Sequence, residues 1–125
     1  MRRTRWGLGG LIGAAVLSCP LMVQAASNVL AWTDNSTNEA NFHIERTTAA
    51  DLAACQTAVG FAQIATTGVN VVTFTDAAVS EGTTYCYRVK ASNPGGSSGY
   101  TNVAGRSVPF SIPVSPSALG VTGGP

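Results

Sequence analysis

Few residues in this chain are equipped for chemistry beyond simple charge: one imidazole, His43; three thiols, Cys19, Cys55 and Cys86; and a run of oxygen side chains, Asp34-Asn35-Ser36-Thr37-Asn38-Glu39. An enzyme would have to build around His43 or work with carboxylates alone. The sequence contains no G-x-S-x-G elbow, phosphate-cradling glycine loop or metal-spaced cluster. In an extended chain His43 shares a face with Glu45, close enough for a charge pair, and the plain expectation is a solvated strand histidine. One histidine cannot complete a zinc site with two cysteines that are better explained as a disulfide. The 34–39 run alternates oxygens as calcium requires, but it lacks the twelve-residue loop and the terminal bidentate glutamate. A turn whose Asp, Asn and Ser side chains bond their own backbone is the reading it supports. Asn35-Ser36-Thr37 also matches a glycosylation sequon, relevant only in a host with that machinery. The expectation is therefore a protein with no catalytic residues, no metal and no cofactor.

The thiols depend on the compartment. The chain starts MRRTRWGLGGLIGAAVLSCPLMVQA, with Arg2, Arg3 and Arg5 ahead of an apolar run from about Leu8 to Val23 and a small-residue pattern ending at Ala25. This is the layout of a secretory signal peptide over residues 1–25. The run is too short and too diluted with Gly and Ala for a stable membrane span, and Arg5 makes a poor twin-arginine signal. Cleavage after Ala25 takes the basic residues from 7 to 4 against 6 acidic ones and the formal charge from +1 to −2. Nucleic acid is therefore not an expected partner, since its non-specific binding needs a basic surface. The exported part keeps Cys55 and Cys86, and two thiols in an oxidising compartment usually pair. Val16-Leu17-Ser18-Cys19 offers a second route, a lipobox whose cysteine is lipidated, which Pro20 and the apolar residues after it fit poorly. The expected location is secreted, periplasmic or at the cell surface, with a lipoprotein through Cys19 as the lesser alternative.

The elements that would position these groups are short and rich in Val, Thr, Phe and Tyr, separated by Gly/Asn/Pro/Ser clusters, which marks an all-β sandwich or barrel. Residues 28–33 set Leu30 and Trp32 on one face; 41–47 set Phe42 and Ile44 on one face with His43 and Glu45 opposite. Further strands are expected at 71–75, 85–92 and 99–106, with a shorter piece at 61–65 and about one helical turn in the Ala-rich 48–57. In TTYCYRVKASNPGG, residues 83–96, Tyr85, Tyr87, Val89 and Ala91 share one face and Cys86, Arg88 and Lys90 the other. That alternation makes Cys86 a surface residue.

LAWTDNSTNEANFHIERTT, FAQIATTGVNVVTFTD and VSEGTTYCYRVKASNPGGSSGYTN together resemble a fibronectin type III domain of the bacterial extracellular kind. The resemblance covers residues 28–108. It implies a two-sheet, immunoglobulin-like sandwich with a core of Leu30, Trp32, Ile44, Tyr85, Tyr87 and Val89, centred on Trp32 and Tyr87. Tyr85 would be the tyrosine corner, its hydroxyl bonded to backbone near 79–81. It also implies that the end of the 41–47 strand lies beside the start of the 85–92 strand, so that the loop carrying Cys55 folds back to Cys86 within bonding reach. Arg88, Lys90 and Arg106 would form a basic strip on the outer sheet face, by default solvated and offset by Glu45. The loop Asn93, Pro94, Gly95, Gly96, Ser97 and Ser98 is where this family often carries recognition; without an aromatic anchor its affinity would be modest. Only two or three residues would precede the Trp32 strand, so the family's N-terminal strand A is lacking. Residues 109–125 read as a Pro/Ser-rich linker whose 116–122 segment is strand-A-like. Three readings of that tail stay open: a piece of a tandem array, a disordered tail, or head-to-tail donation to a strand-A vacancy. The implied function is a secreted, non-catalytic spacer or adhesion element contacting protein or polysaccharide at the cell exterior. An accessory domain of a polysaccharide-degrading enzyme, or a fragment of a tandem fibronectin type III array, is the alternative.

Overall fold

The structure is a computed structural model and describes residues 25–124. Except for Ala25, the expected signal peptide, Cys19 included, lies outside the described residues. Among the described residues seven strands and one short helix follow in order: β1 (Asn28–Ala31), β2 (Asn41–Ala49), a 3-10 turn (Ala53–Thr57), β3 (Ala62–Gly68), β4 (Thr73–Asp76), β5 (Thr84–Asn93), β6 (Gly96–Ser97) and β7 (Ala104–Ser107). All pairings are antiparallel. β1 and β4 form one sheet, while β3, β2, β5 and β6 form the other, with β7 also on β5. Among the described residues no helix is long and apolar enough to cross a membrane.

The two inner faces meet over a core built by period-two alternation. β2 contributes Phe42 and Ile44, β5 contributes Tyr85, Tyr87 and Val89, and Val108 seals the end, all buried. Leu30, Trp32 and Phe74 pack against this core from the other sheet but stay only partly buried. The Trp32 ring meets Phe42 edge-on at 5.6 Å between centroids. Trp32 was expected at the centre of the core and inside a strand; β1 ends one residue before it, and two strands are too few to cover the ring. Tyr85 accepts a hydrogen bond from the Ser80 amide at 2.8 Å, closing the corner before β5.

The last strand is interrupted. Between β6 and β7, hydroxyls replace carbonyls along β5: the Ala91 amide donates to Ser98 Oγ at 2.9 Å and the Val89 amide to Thr101 Oγ1 at 3.1 Å. This irregular stretch decides which face β7 presents. Arg106 pairs with Tyr85 and Gly105 with Cys86, and directly paired residues share a face. Arg106 therefore lies on the inner side of the sheet, not in an outer strip with Arg88 and Lys90.

Among the described residues the chain forms no strand after Ser107. Val108 donates its amide to Thr83 O and accepts from the Gly82 amide; Ser111 bonds the Glu81 carboxylate through its amide and hydroxyl. The Phe110 ring lies so close over Gly82 that a Cβ there would meet Cζ at 2.2 Å, and Gly82 has φ +77°. Residues 116–122, expected as a short strand, are exposed and carry Ala118 at φ +57°. A left-handed alanine is incompatible with extended backbone in this state.

Candidate interaction surfaces

The disulfide brings together what the sequence kept apart. Thr47 is directly opposite Cys86 on β5, and the chain leaving β2 folds back through the 3-10 turn to set Cys55 over it. Asp51 starts that turn by accepting the Ala54 amide at 2.9 Å. Cys55 and Cys86 are bonded, with Cα atoms 5.5 Å apart and a sequence separation of 31. Cys86 does face outward, yet it is fully buried, as is Cys55. The alternation identified the face correctly; the 3-10 turn then covers it. Gly105 makes the arrangement possible, because a Cβ there would meet Cys55 Sγ at 2.7 Å. Nothing in the local sequence of β7 marks that glycine.

Farther along the same outer face, the expected solvated strip is a closed cluster. Glu45 is only 8% exposed. It accepts from Arg88 Nε at 2.8 Å and from the Tyr100 hydroxyl at 3.0 Å, with Lys90 Nζ at 4.0 Å. The Arg88 guanidinium is stacked between two rings, 4.2 Å from the Phe61 centroid and 3.7 Å from that of Tyr100. Burial works to raise the Glu45 pKa, but the hydrogen bonds from Arg88 and Tyr100 outweigh it and hold the carboxyl below its ordinary value. His43 stands beside this cluster with Gln63 Oε1 at 2.7 Å from Nδ1 and Ser92 Oγ at 2.7 Å from Nε2. The imidazole bridges β3 and β5 and does not pair with Glu45.

A second network crosses between the sheets. Asn28 Nδ2 donates to the Tyr87 hydroxyl at 2.9 Å, which donates to Asp76 Oδ2 at 2.7 Å; Arg46 Nη1 reaches the same oxygen at 2.8 Å. Asp76 is pushed up by burial and pulled down further by Tyr87 and Arg46, ending below the ordinary carboxylate value. Burial raises the Tyr87 pKa, so the phenol remains neutral and donates. The network ties β1, β2, β4 and β5 into one unit.

At the pole remote from the Asn28 end of β1, two loops meet. Asp34 Oδ1 accepts the Ser36 amide, and Glu39 Oε2 accepts the Asn70 amide at 3.4 Å. Asn93 Nδ2 donates to Asn38 O at 3.0 Å, and Asn93 Oδ1 accepts the Gly95 amide. The 93–98 hairpin and the 36–39 turn thus border a shallow polar recess of about 410 Å³. The recess joins the expected recognition loop to a turn that sequence spacing alone assigned only to backbone bonding.

No protein-family model and no curated protein matches the chain. Solved structures do resemble it. A twitchin kinase region from C. elegans that includes fibronectin and immunoglobulin domains aligns at TM-score 0.53 and 19% identity, over 70% of this chain and 15% of that one. Pectate lyase Pel3 from Pectobacterium carotovorum aligns at 0.54 and 22% identity, over 76% of this chain and 27% of the enzyme. A myokine structure aligns at 0.50 and 18% identity, over 70% of this chain and 86% of its own. The chain is thus an immunoglobulin/fibronectin-like β-sandwich, and it spans only a minor part of the first two proteins it resembles.

Proposed function

We propose that the chain is a fibronectin type III module of the bacterial extracellular kind, a non-catalytic adhesion or spacer element that makes contact through its loop pole. The observation that carries this reading is where the reactive groups are spent. Asp76, Glu45, Glu39 and His43 each hold two or more chain segments together, and the 93–98 hairpin with the polar recess beside it is presented on a scaffold so braced. Loops held on a rigid scaffold are where binding residues concentrate. The buried Cys55–Cys86 bond is compatible with an extracellular or periplasmic setting.

The test is attachment of the purified protein to intact producing cells, measured by flow cytometry. Ser97→Glu is expected to lower attachment several-fold without moving the melting temperature, and Asn93→Ala, which also removes the bonds to Asn38 O and the Gly95 amide, to lower both. Equal attachment by the wild type, both variants and heat-denatured protein would overturn the reading. One observation favours the alternative of an accessory domain on a polysaccharide-degrading enzyme: the Tyr100 ring, 43% exposed and braced on Arg88, is a flat apolar surface on which a sugar ring can stack.

A further inference from the structure

Among the described residues the main chain of β1 pairs only with β4. The Trp32 amide continues that ladder to Val72 O at 3.0 Å. Antiparallel pairs alternate, so the main-chain groups of Val29, Ala31 and Thr33 face the other way, toward an open edge. A groove of about 560 Å³ runs beside this edge between β1 and the β5/β7 side of the larger sheet, with Leu30, Trp32, Tyr87 and Val89 in its walls. Two buried polar atoms of groove-lining residues, Asn28 Oδ1 and Trp32 Nε1, have no partner. An unpaired edge next to an apolar groove is a template for an added strand.

The chain itself carries a segment of matching pattern. Leu119 and Val121 alternate by two and are 93% and 89% exposed. Residues 117–122 contain no proline and no charge, so every amide can enter a ladder. The upstream apolar residues Phe110, Ile112 and Val114 are less suited, since Pro109 and Pro113 interrupt the donors and Phe110 already lies on Gly82.

Chain direction decides which copy is served. Ser107 pairs with Thr84 at the start of β5, and Val108 is bonded to Thr83, so the tail leaves from that pole. β1 starts at the same pole, where Asn28 pairs with Asp76 and bonds Tyr87. A tail turning straight back onto its own β1 would run parallel to it. Antiparallel pairing within one molecule needs entry from the opposite pole, past the ten residues of β5, roughly 33 Å of strand. Ser111 is fastened to Glu81, and the free span from Ile112 to Ser115 reaches at most roughly 14 Å. Pro113 stiffens even that. A second copy stacked with its loop pole against this exit presents its β1 edge at short range and in the antiparallel sense.

We propose that residues 117–122 of one copy pair with the open β1 edge of a second copy, head to tail. In the register that sets Leu119 opposite Leu30, Ala118 and Gly120 exchange main-chain bonds with Ala31 and Val29, and Leu119 and Val121 enter the groove. Docking straightens Ala118 out of its left-handed conformation. Each copy offers one tail and one edge, so the contact is heterologous and joins copies into open chains. The proposal rests on the β1 edge and the tail; stacking sets the loop pole of each acceptor copy against its neighbour, so in a chain only the end copy keeps that pole open for the contact proposed above.

The test compares the full chain, purified after export, with Leu119→Asp/Val121→Asp. Mass by light scattering is followed over a wide concentration range, and amide hydrogen exchange is read at Val29 and Ala31. A synthetic peptide of residues 115–123 serves as the probe. The expected result is a wild-type mass that grows with concentration and a monomeric double variant with its disulfide intact. The peptide should shorten the wild-type chains and slow exchange at Val29 and Ala31 of the variant at least tenfold. A wild type that is monomeric throughout overturns the proposal, as does association that the substitutions leave unchanged. Slow exchange at Val29 and Ala31 in the monomeric variant without peptide also overturns it, since the edge is then filled by another segment.

Discussion

Reducing the Cys55–Cys86 bond removes a cross-link between positions 31 residues apart. On the chain-entropy relation, a closed loop of this length restricts the unfolded chain by about 12 cal/mol/K, or about 3.7 kcal/mol at 25 °C. A β-sandwich of this size has a total stability of roughly 5–15 kcal/mol, so the bond accounts for a large share. For a domain of this length each kcal/mol moves the midpoint by about 4–8 °C, which gives a fall of roughly 15–30 °C on reduction. The double substitution Cys55→Ala/Cys86→Ala should lose more than reduction does. Both sulfurs are fully buried, and deleting each leaves an unfilled space that costs about 1 kcal/mol. The assay is thermal melting followed by circular dichroism, on intact protein, reduced and alkylated-on-unfolding protein, and the double variant. A midpoint that moves by less than about 4 °C on reduction, or two free thiols found by mass spectrometry in the folded, unreduced protein, would refute the reasoning.

Three further outcomes follow from the same contacts. Asp76 has a lowered folded pKa, so its contribution to stability is present above the unfolded value of about 3.9 and is lost as pH falls through the folded value; Asp76→Asn should remove that part of the acid dependence and cost about 2 kcal/mol at neutral pH, read by urea melts at several pH values. Gly105→Ala should lower stability by about 1–3 kcal/mol through overpacking in the oxidised protein, with a smaller effect after reduction, because the clash is with Cys55 Sγ. Tyr85→Phe removes only the bond from the Ser80 amide and should cost about 1 kcal/mol, while Trp32→Ala should cost about 2, below the 3–5 of a fully buried ring, because Trp32 is only partly buried; equal losses in denaturant melts would contradict this division.

Much of the architecture is legible because it is local. The alternation through residues 83–92 separates Tyr85, Tyr87 and Val89 from Cys86, Arg88 and Lys90, and the structure keeps that division. What alternation cannot supply is what lies over each face. Cys86 and Glu45 read as solvated because their covers come from distant segments: the 3-10 turn over the thiol, and Tyr100, with Arg88 held against Phe61, at the carboxylate. Arg106 was placed on the wrong face for a related reason. Its side is set by a slip in the irregular stretch before β7: Tyr100 bonds Glu45 on the outer face, yet Arg106, an even number of residues later, is opposite the inward-facing Tyr85. The His43 partners Gln63 and Ser92 likewise come from two neighbouring strands and depend on register. Strand edges are legible only as missing partners, and the extent of the β1 groove became visible only with the two sheets in place.

The claim that this sandwich is a non-catalytic contact module is tested most directly in one set of tubes. The purified protein is incubated with insoluble cellulose, chitin and pectin, and both retained protein and released reducing ends are measured. The account predicts retention no higher than on inert beads and no release. Retention abolished by Tyr100→Ala would contradict it in favour of a carbohydrate-binding accessory domain, and release of reducing ends would contradict it outright.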